Sequence, residues 1–76
     1  MKKKLFNYGF KYYVDESGVN TNAFELGYPD GSYVYLEKGF DGTWEWSLND
    51  KQNGRGTIDT KHFATDKELL DFLGSR

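Results

Sequence analysis

Few side chains in this sequence are of a kind that could do chemistry, and their spacing argues against it. His62 is the one histidine among 76 residues, and Lys61 and Phe63 beside it supply neither a nucleophile nor a carboxylate. A catalytic triad or metal centre needs companions at set positions. The sequence instead places His62 in a loop ahead of a helix. The twelve carboxylates could include an acid–base pair, but so small a sheet does not make a cleft deep enough to drive two pKa values apart. Asp30-Gly31 and Asp41-Gly42 begin turns, not the spaced series of oxygen ligands that calcium takes. Gly54-Arg55-Gly56 lacks the lysine and following helix of a phosphate-cradling loop. With no cysteine there is no disulfide, thiolate zinc site or thiol nucleophile. The expectation is a non-enzymatic protein with no cofactor and no metal.

Charge is more informative than chemistry. The formal net charge of −2 is unevenly spread. Residues 1–14 carry Lys2, Lys3, Lys4 and Lys11 and no acid. Residues 15–50 carry eight acids against Lys38, and residues 51–76 are close to balanced. The apolar run after the lysines is only Leu5-Phe6, too short for a secretory signal or a membrane span. The expected location is cytoplasmic (the host cytoplasm for a phage-encoded chain), and residues 1–8 are expected to be a mobile basic N-terminus of a single domain, 1–76.

The elements that must position these charges can be read from periodicity. Residues 10–15 alternate with period two, placing Phe10, Tyr12 and Val14 on one face and Lys11, Tyr13 and Asp15 on the other. Residues 16–22 form a turn and loop. A second strand, residues 23–28, aligns Phe24, Leu26 and Tyr28. Pro29-Asp30-Gly31 is a hairpin signal, because proline presets φ and Asp-Gly accepts left-handed backbone. The third strand, residues 32–38, can bury either Val34 and Leu36 or Tyr33 and Tyr35. The first choice keeps Glu37 out of the core, where it would be unpaired. Gly39 to Gly42 turns the chain into a fourth strand, residues 43–49, with Trp44, Trp46 and Leu48 inward. After Asn53-Gly54 a fifth strand, residues 55–60, has Ile58 as its main apolar residue. Thr65-Asp66-Lys67-Glu68 matches a capping box; Leu69, Leu70, Phe72 and Leu73 make an apolar stripe, and Gly74 is a natural helix stop. The fold class is α+β: a four- to five-stranded antiparallel meander with one short C-terminal helix packed on one face.

Within residues 38–73, Gly39-Phe40-Asp41-Gly42-Thr43-Trp44-Glu45-Trp46, the glycine turn at Asn53-Gly54, and Phe63-Ala64-Thr65-Asp66-Lys67-Glu68-Leu69 resemble the AP2-like DNA-binding module of phage integrases. The likeness covers about half the chain. It implies three antiparallel strands and a C-terminal helix, with the sheet laid in a DNA major groove. It also implies a sequence-specific DNA-binding alternative using Lys2, Lys3, Lys4, Arg55 and Lys61 for phosphates. That family's DNA-facing strand positions are rich in Lys and Arg. Here the corresponding outward positions hold Glu45, Ser47, Thr57 and Asp59, and carboxylates repel phosphates.

The face turned away from the helix is the candidate site. Strand alternation assigns it Tyr13, Glu25, Tyr33, Tyr35, Glu37 and Glu45. Carboxylates steer a cationic partner and tyrosines supply rigid contact area. The expected function is a small protein-binding domain with an acidic, tyrosine-bearing face. It would act as a phage or mobile-element inhibitor (anti-defence, anti-CRISPR-like) of a basic protein such as a nuclease or another nucleic-acid-binding protein. The expected state is monomer or homodimer, and a homodimerising structural domain pairing through its aromatic face is the remaining alternative.

Overall fold

A computed structural model describes residues 1–75; Arg76 lies outside them. The chain runs α1 (Lys2–Asn7), β1 (Lys11–Asp15), β2 (Gly18–Gly27), β3 (Tyr33–Lys38), β4 (Trp44–Asp50), β5 (Gly56–Phe63) and α2 (Asp66–Gly74). The five strands form one antiparallel meander in chain order, β1-β2-β3-β4-β5. This is the α+β architecture expected, with a second, N-terminal helix added.

One side of the sheet carries the core. Phe24, Val34, Leu36, Trp44 and Trp46 are buried there with Leu69 and Leu73 of α2 and Leu5 and Phe10 from the N-terminal segment. Val34 and Leu36 lose all exposure, so of its two possible rolls β3 takes the one that keeps Glu37 out of the core. Phe24 anchors an aromatic run: its ring stacks on Tyr12 at 5.3 Å and lies 6.1 Å from those of Phe6 and Trp44. Phe72 of α2 meets Trp46 at 5.3 Å and Phe63 at 5.1 Å. Such ring pairs add about 0.5–1.5 kcal/mol each beyond area burial. The N-terminus of α2 is tied down as well. The Trp44 indole N–H donates to Asp66 Oδ1 at 2.7 Å, and Lys38 Nζ lies 3.5 Å from the same oxygen. The Trp44 bond, helped by Lys38, holds the Asp66 carboxyl below its ordinary value although desolvation opposes this.

Residues 2–7 are not a mobile arm. They form a helix because Leu5 and Phe6 fall on its sheet side, where Leu5 is wholly buried and Phe6 meets Tyr12 edge-on at 5.2 Å. The lysines remain exposed. Val14, expected inward, is 61% exposed. The register shifts between Tyr12 and Tyr13, which pair with Phe24 and Asn20. Beyond that irregularity, Val14 pairs with an equally exposed Val19. The loop expected at 16–22 shrinks to a two-residue turn, with Asp15 paired to Gly18. Strand β5 is longer than expected, so His62 lies within it, opposite Glu45. A bulge on β5 leaves Ile58 40% exposed, between Thr57 paired to Asn49 and Asp59 paired to Leu48. Gly74 belongs to α2, and Ser75 ends the helix through its hydroxyl on the Phe72 carbonyl, 2.9 Å. The capping box forms: Thr65 Oγ1 accepts from Glu68 N–H at 3.2 Å, and Glu68 Oε2 accepts from Ala64 N–H at 2.9 Å.

The same turn is built twice. In Tyr28-Pro29-Asp30-Gly31-Ser32 and Gly39-Phe40-Asp41-Gly42-Thr43 the first residue's N–H donates to the fifth residue's carbonyl at 2.8 Å, and the glycine N–H returns to the first carbonyl at 3.1 Å. Gly31 and Gly42 sit at φ +90° and +86°, the left-handed position that closes three-residue hairpin loops. In both turns the aspartate Oδ1 accepts from the N–H and hydroxyl of the residue two further on. Asp15 does the same with Ser17. Phe40 occupies the place of Pro29 and projects fully into solvent.

Two outcomes check this account. Leu5→Ala should lower unfolding free energy by about 2–5 kcal/mol, the range for a buried leucine truncated in a packed core; a mobile arm would leave urea denaturation unchanged. The hydrogen bonds from Ser17, Ser32 and Thr43 hold the Asp15, Asp30 and Asp41 carboxyls below their ordinary 3.8. Their contribution is therefore present above that value and lost as pH falls through the lowered folded values. Replacing all three by asparagine should flatten the acid limb of stability against pH while retaining the turns.

Candidate protein-binding face

The other side of the sheet is polar, and the pairing register composes it in rows. One row runs Lys11, Glu25, Tyr35, Ser47, Thr60 from β1 to β5; a second runs Ala23, Glu37, Glu45, His62; a third runs Gly27, Tyr33, Asn49, Thr57. Tyr13 joins them by packing its ring edge-on against Tyr35 at 5.2 Å. All six residues singled out from the sequence, Tyr13, Glu25, Tyr33, Tyr35, Glu37 and Glu45, therefore share one face, opposite the helices.

Its electrostatics are not uniform. Lys11 Nζ sits 3.4 Å from Glu25 Oε1 with the lysine largely exposed, so Glu25 is partly countered. Glu37 and Glu45 stand directly opposite each other across β3 and β4. Like charges so placed destabilise a sheet. Glu37 Oε2 accepts the Tyr35 hydroxyl at 2.9 Å, while Glu45 is exposed. Desolvation, then the Glu37 hydrogen bond and charge, with smaller contributions from Tyr13 and Glu45, push the Tyr35 phenol up to about 12. Tyr35 thus stays a neutral donor at any physiological pH.

Toward β5 the face carries short polar side chains that strand alternation alone did not mark as a unit. Asn49 and Ser47 are buried. Asn49 Nδ2 donates to Ser47 Oγ at 3.1 Å, and Thr57 donates to Asn49 Oδ1 at 2.8 Å. A sheet face with its polar atoms so satisfied can stay uncovered. No aromatic or charged signal pointed to this ladder, because its definition depends on the β4–β5 register.

The groups that a DNA-binding reading would use are not on this face. Lys61 lies on the helix side with Nζ 5.9 Å over the Phe72 ring. Arg55 sits in the β4–β5 turn, 3.8 Å from buried Asp50. Lys2 lies over Tyr12 at 5.7 Å. The bulge at Ile58 also turns Asp59 to the helix side with Leu48, so Glu45, Ser47 and Thr57 face outward but Asp59 does not. Among the described residues no group of three or more His, Asp or Glu could hold a metal ion, and no helix is long and apolar enough to cross a membrane.

The tyrosine environment can be measured. In an alkaline absorbance titration one of the six tyrosines should ionise well above the ordinary value of 10, and Glu37→Gln should bring it down by removing the carboxylate's charge. Because the folded value is raised, Tyr35 contributes stability that is complete below pH 10 and lost as pH rises towards 12. Titration of all phenols together would contradict the Tyr35–Glu37 contact. No protein-family model matches the chain, and neither a curated protein nor a solved structure matches it.

Proposed function

We propose that this chain is a small non-enzymatic protein-binding domain that docks its acidic, tyrosine-bearing sheet face on a basic, nucleic-acid-handling protein and inhibits it. The observation that carries this reading is the direct opposition of Glu37 and Glu45 on an uncovered face. Two facing carboxylates repel in the free protein, and a partner's lysine or arginine between them relieves that repulsion on binding. Along one side of the pair, Tyr35 in the next row, Tyr13 packed against it and Tyr33 one row beyond add amphipathic area of low conformational cost. A basic groove that ordinarily holds phosphates is the complementary surface, so docking would compete with DNA or RNA. The phage-type, anti-defence setting is drawn from the likeness of residues 38–73 to the integrase module, and the partner class from charge.

The test uses immobilised chain and a panel of purified basic nucleic-acid-binding proteins, nucleases included. Binding to a cognate member should weaken steeply from about 50 mM to several hundred mM salt, as expected for exposed charges. It should be displaced by duplex DNA and lost when Glu25, Glu37 and Glu45 are all changed to Lys. Binding that ignores salt and survives the triple change refutes the reading. A low-salt gel shift of duplex DNA by the chain alone would favour the DNA-binding alternative instead.

A further inference from the structure

Strand β5 forms one border of the sheet; β4 pairs along one side of it, and among the described residues no strand lies on the other. Residues 57–62 are exposed throughout. Such an edge turns alternate backbone N–H and C=O groups away from its one neighbour; at Thr60 the N–H is held by Asp59 Oδ1 at 2.9 Å, a bond that a paired strand's carbonyl would have to replace. Natural edges are commonly blunted by proline, by bulges or by charged side chains, which oppose pairing unless the incoming strand presents the opposite charge. Strand β5 contains no proline, and past its bulge at Ile58 it runs in regular register from Asp59 to Phe63.

The charges of this segment select a partner. When two copies pair edge to edge about a two-fold axis normal to the sheet, every side chain keeps its face. Faces alternate with period two, so the axis must pass through a residue rather than between two. Centring on Asp59 sets two carboxylates opposite each other, and centring on Lys61 sets two ammonium groups opposite each other; both are destabilising. Centring on Thr60 sets Asp59 of each copy opposite Lys61 of the other. Asp59 and Lys61 are half-exposed and already 3.6 Å apart within one chain, so the two copies would form an alternating four-charge cluster. Thr60 would meet Thr60, a favourable cross-strand pair.

We propose that β5 is a dimerisation edge and that its occupant is a second copy of this chain, antiparallel, in the Thr60-centred register. This is a self-complementary contact that uses none of Tyr13, Glu25, Tyr33, Tyr35, Glu37 or Glu45, so it stands apart from the proposed docking function. It joins two meanders into one continuous sheet with both acidic faces on the same side.

Sedimentation equilibrium over a wide protein concentration range tests it. The native chain should move from monomer to twice the monomer mass as concentration rises. Asp59→Lys and Lys61→Asp should each weaken association at least tenfold, and the double exchange should restore it, because it rebuilds the opposed pairs with signs reversed. Thr60→Cys, in a chain otherwise free of cysteine, should give a disulfide dimer on mild oxidation, while Thr57→Cys should not. A chain that stays monomeric at millimolar concentration overturns the proposal. So does dimerisation indifferent to the single charge changes, or a Thr57→Cys variant that cross-links as readily as Thr60→Cys.

Discussion

Strand β3 is the middle one of five, and the roll of its side chains decides what both sides of the molecule are. Val34 and Leu36 point into the space closed by the two helices and are wholly buried; Tyr33, Tyr35 and Glu37 point the other way. A slip of one residue would exchange the two sets completely. It would bring Glu37 under the helices without a cation and cost the full desolvation of a carboxylate. The core therefore enforces the composition of the outer face, although no core atom belongs to it. Neighbouring strands inherit the arrangement through register: Phe24 and Trp46 flank Leu36 on one side, while Glu25 and Ser47 flank Tyr35 on the other.

Register also explains why the two ends of the sheet behave differently. Between β2, β3 and β4 the pairing is unbroken, and inner and outer faces are cleanly separated. At β1–β2 and at β4–β5 the register shifts. Extra residues in an antiparallel pair turn the following side chains and increase local twist. Asp59 changes side as a result, and Val14 and Ile58, beside the two shifts, are left exposed. The central acidic and aromatic surface lies on the regular part of the sheet, and the irregularities lie to either side of it.

The strands, the Asp-Gly turns and the helix start were legible because each is set by neighbours close in sequence. Trp44 and Trp46 alternate with Thr43, Glu45 and Ser47; Thr65 and Glu68 are three apart; Asp30-Gly31 and Asp41-Gly42 demand left-handed backbone. The grouping of the six candidate residues followed from the same alternation. What the sequence hid depends on contacts between distant segments. Leu5 and Phe6 make too short an apolar run to announce a helix, and α1 forms against Phe24 and Tyr12. The bulge at Ile58 follows from pairing with Leu48 and Asn49. A strand continuing through His62 follows from the full length of β4, with Trp44 paired to Phe63.

Every strand pairs with the one just before it in the chain, so the sheet can zip up through short loops. The entropy of ring closure rises by only about 0.6 kcal/mol for each doubling of loop length, and short loops start that ladder at its lowest rung. The meeting of the two ends is different. Tyr8, just past α1, comes so near Gly74 of α2 that an added Cβ would lie 3.3 Å from its hydroxyl oxygen, and Leu5, Leu69 and Leu73 share one core. That junction spans nearly the whole polypeptide. The meander is thus assembled from neighbourly steps, while the lid over its greasy side is fastened by long-range ties, α2 to β4 through Trp44 and Trp46 and α1 to α2 across most of the described residues.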